Sequence, residues 1–164
     1  MKIDVSKLKY SQKTVFEETI TFDDEKFPPQ IPLLEVKKAD VKVEISRYEE
    51  FIYALVKVKA HVVLQCSYTL KPFEDVIKDE DELHFASYKD EDDLDTIVYK
   101  GNQIELDQYI YDIISSSIPL SPKSKDAKLP KDGKQYRVIS DQELIKEKSE
   151  GNNSPFDKLK DLDL

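Results

Sequence analysis

The chain has 164 residues, 39% hydrophobic and 36% charged, with a formal net charge of −9 and one cysteine. That length suits one core with an extension rather than two full domains. The single Cys66 excludes an internal disulfide and a cysteine-built zinc cage, and the charge excludes a uniformly basic nucleic-acid binder.

Residues 1–13 contain no apolar core of the kind a signal peptide carries, and no segment offers the ~18 uninterrupted apolar residues of a membrane helix. The expected location is the cytoplasm, without membrane contact. Ile3, Val5 and Leu8 suit a short strand and loop. From Thr14 to Phe22 the alternation of Phe16, Ile20 and Phe22 with Val15, Glu17, Thr19 and Thr21 predicts a strand. Pro28, Pro29 and Pro32 then break the chain, because proline lacks a ladder donor and restricts its predecessor.

Alternation resumes after Glu35, with Ala39, Val41, Val43 and Ile45 against Asp40, Lys42 and Glu44. The strongest strand signal runs from Ile52 to Cys66: every even position is apolar, while Lys57, Lys59, His61 and Gln65 point the other way. Only Ser46–Glu50 separates the two, too short for a crossover helix, so they form an antiparallel hairpin. Phe73–Lys78 reads as a further strand, Leu83 and Phe85 as a short one between two acidic loops, and Ile97–Lys100 as another.

A Gly101-Asn102 turn leads into Ile104-Glu105-Leu106, after which Leu106, Ile110, Ile113, Ile114 and Ser117 recur at helical spacing until Pro119. Asp107 suits the cap and dipole of that helix, whose expected role is to cover one face of the sheet. The stretch 121–135 has two more prolines and Gly133 and reads as a loop, with a brief return to strand at Tyr136, Val138 and Ile139. Ser140 followed by Glu143 has capping-box spacing and opens a charged helix to about Gly151; Ser154, Pro155, Phe156 and Leu159 suggest a short final one. The predicted fold is α+β, a mainly antiparallel sheet, open or partly closed into a barrel, covered by one central helix with short C-terminal helices. Residues 1–139 form the domain and 140–164 a charged helical extension.

Charge is segregated along the chain. Asp79, Glu80, Asp81, Glu82, Asp90, Glu91, Asp92, Asp93 and Asp95 face only Lys89, giving −8, whereas Lys123, Lys125, Lys128, Lys131, Lys134 and Arg137 face Asp126 and Asp132, giving +4. The acidic runs read as solvated loops. The basic stretch is either a solvated loop or a contact for phosphates, with Tyr136 available for stacking.

Candidate catalytic groups are few. Cys66 ends an apolar strand face and reads as a packing thiol. His61, His84 and Cys66 lack the close pairs of zinc-binding sequences, and residues 90–95 lack the glycine and final glutamate of a calcium loop. With glycine only at 101, 133 and 151, no phosphate-cradling loop exists. No enzymatic activity, metal or cofactor is expected.

Three stretches resemble the YceD-like family of bacterial large-ribosomal-RNA-subunit accumulation proteins: Val63–Leu70, Ile104–Pro119 and Gly133–Ser140, with Ser154–Leu159 similar to the family's closing segment. In relatives, further cysteines near the position of Cys66 and in the loop after the helix suggest a metal site. Here that loop holds lysines, so no metal role carries over, and Tyr68 stands where relatives often have arginine. The resemblance implies a non-catalytic ribosome-biogenesis factor supporting synthesis, processing or accumulation of 23S ribosomal RNA, in contact with ribosomal RNA or a pre-50S particle. Lys123, Lys125, Lys128, Lys131, Lys134 and Arg137 are its RNA-binding candidates. The alternative is an acidic module that shields a basic ribosomal protein through the nine carboxylates of residues 79–95.

Overall fold

The computed structural model describes residues 1–88, 95–129, 131–133 and 137–150. The chain divides into two compact units, Met1–Ser124 and Lys125–Leu164. The first holds β1 (Lys2–Asp4), a 3-10 turn (Val5–Lys7), β2 (Lys13–Ile20), β3 (Leu33–Tyr48), β4 (Phe51–Gln65), β5 (Pro72–Ala86), β6 (Ile97–Val98), β7 (Gln103–Glu105) and α1 (Asp107–Ser116). The second holds α2 (Asp141–Glu150). The fold is α+β.

Five strands form a sheet in the order β2-β3-β4-β5-β6, antiparallel except for the short parallel β5–β6 pair; β1 and β7 form a separate two-stranded sheet. The expected β3–β4 hairpin is present, closed by Tyr48 opposite Phe51, with Glu49 in the left-handed region at φ 51°. Even positions of β4 are buried from Ile52 to Leu64, as the alternation requires. They meet Ala39, Val41, Val43 and Ile45 of β3 and Ile77 and Phe85 of β5 in one core. Leu106, Ile110, Ile113 and Ile114 from the α1 segment join the same core.

Three expectations are corrected. The sheet is open: among the described residues β2 and β6 lie at opposite ends and do not pair, so no barrel closes. Residues 79–82 are not a loop but the middle of a single 15-residue β5, paired with β4 along its whole length. Apolar anchors at Ile77 and Phe85, with Lys57 bridging to Glu80 at 3.5 Å, hold this acidic segment in the sheet despite its weak strand propensity. Val138 and Ile139 belong to no strand, since the Val138 N–H is taken by the Asp132 carboxylate at 2.7 Å; Tyr136 lies outside the described residues.

Asp107 also differs from expectation. It occupies the first helical position without capping, because Leu106 is the N-cap residue and the Asp107 carboxylate receives the amino group of Met1. The predicted capping box before α2 is present: Glu143 N–H donates to the Ser140 hydroxyl at 3.2 Å, and Ser140 N–H donates to the Glu143 carboxylate at 2.8 Å.

β5 pairs with β6 only through Phe85 and Ala86, leaving most of its outer edge unpaired. On that edge the N–H groups of Val76, Glu80 and Glu82 donate to the carboxylates of Asp75, Asp79 and Asp81 at 2.8, 2.9 and 2.8 Å. Each aspartate thus caps the backbone donor of its neighbour.

Candidate nucleic-acid interface

The basic candidates divide between the two units. Lys123 belongs to the first unit, where its ammonium sits 4.6 Å from the centre of the Tyr68 ring. Lys125, Lys128, Lys131 and Arg137 belong to the second, the three lysines exposed and Arg137 bonded to Glu147 at 3.0 Å. Lys134 lies outside the described residues.

The acidic candidates do not form one surface. Successive strand residues point to opposite faces, so Asp79 and Asp81 lie on the α1 side of β5 while Glu80 and Glu82 lie on the other. Asp79 accepts from the Ser117 hydroxyl and the Glu80 N–H, which hold its carboxyl below the usual range. Glu80 is engaged by Lys57. Asp95 is exposed, and Asp90, Glu91, Asp92 and Asp93 lie outside the described residues.

Cys66 begins a tight turn after β4. Its N–H donates to Lys71 O at 2.9 Å, its carbonyl accepts from Leu70 N–H at 2.8 Å, and Leu70 takes φ 57°. The segment following α1 docks on this turn through Ser67 N–H to Pro122 O at 2.8 Å. Cys66 is 1% exposed. Hydrogen bonds from the Thr69 hydroxyl, then the Ser124 N–H and the N–H groups of Thr69 and Tyr68, outweigh burial and lower it to about 6. Cys66 is therefore buried, as expected, but in polar company. The Cys66 turn and the segment after α1 are thus in contact, and the thiol there meets one hydroxyl and N–H groups, a donor set unsuited to a metal ion. Among the described residues no group of three His, Cys, Asp or Glu side chains is placed to hold one.

A second cationic cluster lies on the sheet face turned away from the core. Lys42 stands directly opposite Lys57 across β3–β4, and in the next row Lys59 stands directly opposite Lys78 across β4–β5. Lys38 is on the same face, opposite His61. Lys42, Lys57, Lys59 and Lys78, with Asp40 and Glu80, border a shallow open depression of about 500 Å³. Alternation identifies the outward residues of β3 and β4, but their juxtaposition depends on register, and the strand predicted over Phe73–Lys78 stops at Lys78 whereas β5 runs on to Ala86.

The first unit is of α+β class, an open sheet with one charged face turned to solvent and a helix on the other. The family described as large ribosomal RNA subunit accumulation protein YceD matches residues 55–163, and the chain belongs to this family. No curated protein and no solved structure matches the chain. No described helix is long and apolar enough to cross a membrane.

Proposed function

We propose that this protein is a non-catalytic factor that supports accumulation of large-subunit ribosomal RNA, acting in the cytoplasm on ribosomal RNA or a precursor of the large subunit. The family match over residues 55–163 carries the reading, since it covers most of the long strand β4, then β5, β6, β7, α1 and the basic segment. Lys123, Lys125, Lys128, Lys131, Lys134 and Arg137 contribute phosphate contacts, which need cationic side chains rather than a fixed pocket. Arg137 exchanges its Glu147 partner for phosphate on binding.

The alternative role, shielding a basic ribosomal protein, has less support, because Asp79 and Asp81 stand across the strand from Glu80 and Glu82 and serve as backbone caps. Depletion in cells tests the proposal. The ratio of large- to small-subunit ribosomal RNA should fall and large-subunit precursors should accumulate; unchanged levels and unchanged precursor processing refute it.

A further inference from the structure

We infer that the solvent-facing side of the five-stranded sheet docks single-stranded RNA, with Lys42, Lys57, Lys59 and Lys78 facing its phosphates and Tyr48 and Tyr53 facing its bases. The inference rests on the RNA reading above and adds a surface distinct from the basic segment.

Like charges directly opposite across strands destabilise a sheet by about as much as opposite charges stabilise it. Here two such pairs occur in adjacent rows of three consecutive strands, Lys42–Lys57 and Lys59–Lys78. Elsewhere on the sheet the same residue types are matched in sign, as in Lys13 with Glu44 and Lys37 with Glu74. Nearby carboxylates are already engaged. Glu17 holds Lys42 at 2.9 Å, Glu80 holds Lys57 at 3.5 Å, and Asp40 accepts from the Thr19 hydroxyl at 2.8 Å. Lys38, Lys59 and Lys78 are exposed and form no ion pair among the described residues. Lys42, Lys57 and Lys59 also have carboxylates directly opposite on their other side, Glu17, Glu80 and Asp40, yet with Lys38 and Lys78 these rows hold five lysines against three carboxylates, and a polyanion lying across β3, β4 and β5 offsets that excess.

Rings on the same face favour nucleic acid over an acidic protein. Tyr53 lies opposite His84 with centroids 4.9 Å apart, and Tyr48, 50% exposed, packs edge-on against Tyr53 at 6.1 Å. Exposed rings beside a cationic strip are the means by which sheet surfaces hold unpaired bases, through stacking that tolerates any sequence. Between rings and lysines runs a row with Glu44 and Glu82, the first paired with Lys13 and the second 3.8 Å from His84.

The test uses the full chain and a labelled single-stranded RNA of about 20 nucleotides, followed by anisotropy at several salt concentrations. In the double variant Lys59→Gln/Lys78→Gln, affinity should fall about tenfold and the slope of log K against log salt should drop by about 1.4, from ~0.7 per phosphate contact. The same variant should keep a melting temperature close to that of the wild type, since loss of the like-charge pair is offset by loss of the attraction between Asp40 and Lys59; loss of affinity through misfolding would lower it. Tyr48→Ser should weaken binding while leaving the salt slope unchanged. If the wild-type chain binds and the double variant keeps its affinity and slope, while Lys125→Gln/Lys128→Gln/Lys131→Gln loses both, the sheet-face inference is overturned and the RNA reading stands. Absence of RNA binding by the wild-type chain overturns both. Displacement of RNA by equimolar poly-glutamate would assign the face to an acidic polypeptide and overturn the inference.

Discussion

Titration of Cys66 from about pH 4.5 to about pH 10 should show a thiolate forming near pH 6, well below the range of an ordinary cysteine. At pH 7.4 a thiol titrating near 6 is about 95% ionised, against about 2–3% for one titrating at 9. The hydroxyl of Thr69 is the first cause of the shift, so Thr69→Val should move the midpoint upward. Thiolate absorbance near 240 nm reads the midpoint in the folded chain, and iodoacetamide labelling reads access. Because Cys66 is 1% exposed, labelling should stay slow even where the absorbance shows the thiolate formed. The folded value lies below the unfolded one, so the thiolate's contribution to stability is complete above the unfolded value near 9, declines as the pH falls through 6, and is absent below. Cys66→Ala should therefore flatten the rise in stability between pH 6 and 9. A midpoint at or above 8.5 would refute the account and leave Cys66 a packing thiol.

Two further outcomes follow from packing and capping. Ile110→Ala removes three fully buried carbons where α1 joins the core, about 2.4 kcal/mol of transfer energy plus a cavity cost, so urea unfolding should show a loss of about 3–4 kcal/mol, whereas exposed Asp112→Ala should stay within about 0.5 kcal/mol. Ser140→Ala breaks the reciprocal bonds with Glu143 and should cost α2 about 1 kcal/mol, seen as roughly fivefold faster amide exchange in its first turn.

Much of the hairpin could be read from the chain. The unbroken alternation of β4 and the aliphatic run of β3 identify their faces, and the short polar link between them leaves only an antiparallel pairing. The helix was equally legible, because Leu106, Ile110, Ile113 and Ile114 share a face and Pro119 stops the pattern. Composition misled at β5, where four successive acidic residues resemble a solvated turn yet are held by anchors on either side and by Lys57 on the neighbouring strand. Nothing local announces that anchoring, which is a property of register. For the same reason the Lys59–Lys78 and Lys42–Lys57 juxtapositions were invisible in the sequence, whereas the basic segment 123–137 stood out because its charges are consecutive. Asp107 had the right chemistry for a cap but one position too late, and the amino group of Met1 took its carboxylate.

The three capped N–H groups on the outer edge of β5 explain what an acidic run does inside a strand. An exposed edge is a template onto which another strand can add, and pairing there needs free backbone donors. Asp75, Asp79 and Asp81 occupy those donors and line the edge with negative charge. With these donors taken and the edge negative, addition of a further strand along β5 is disfavoured, and an acidic run that looks like a loop serves instead as the border of a sheet.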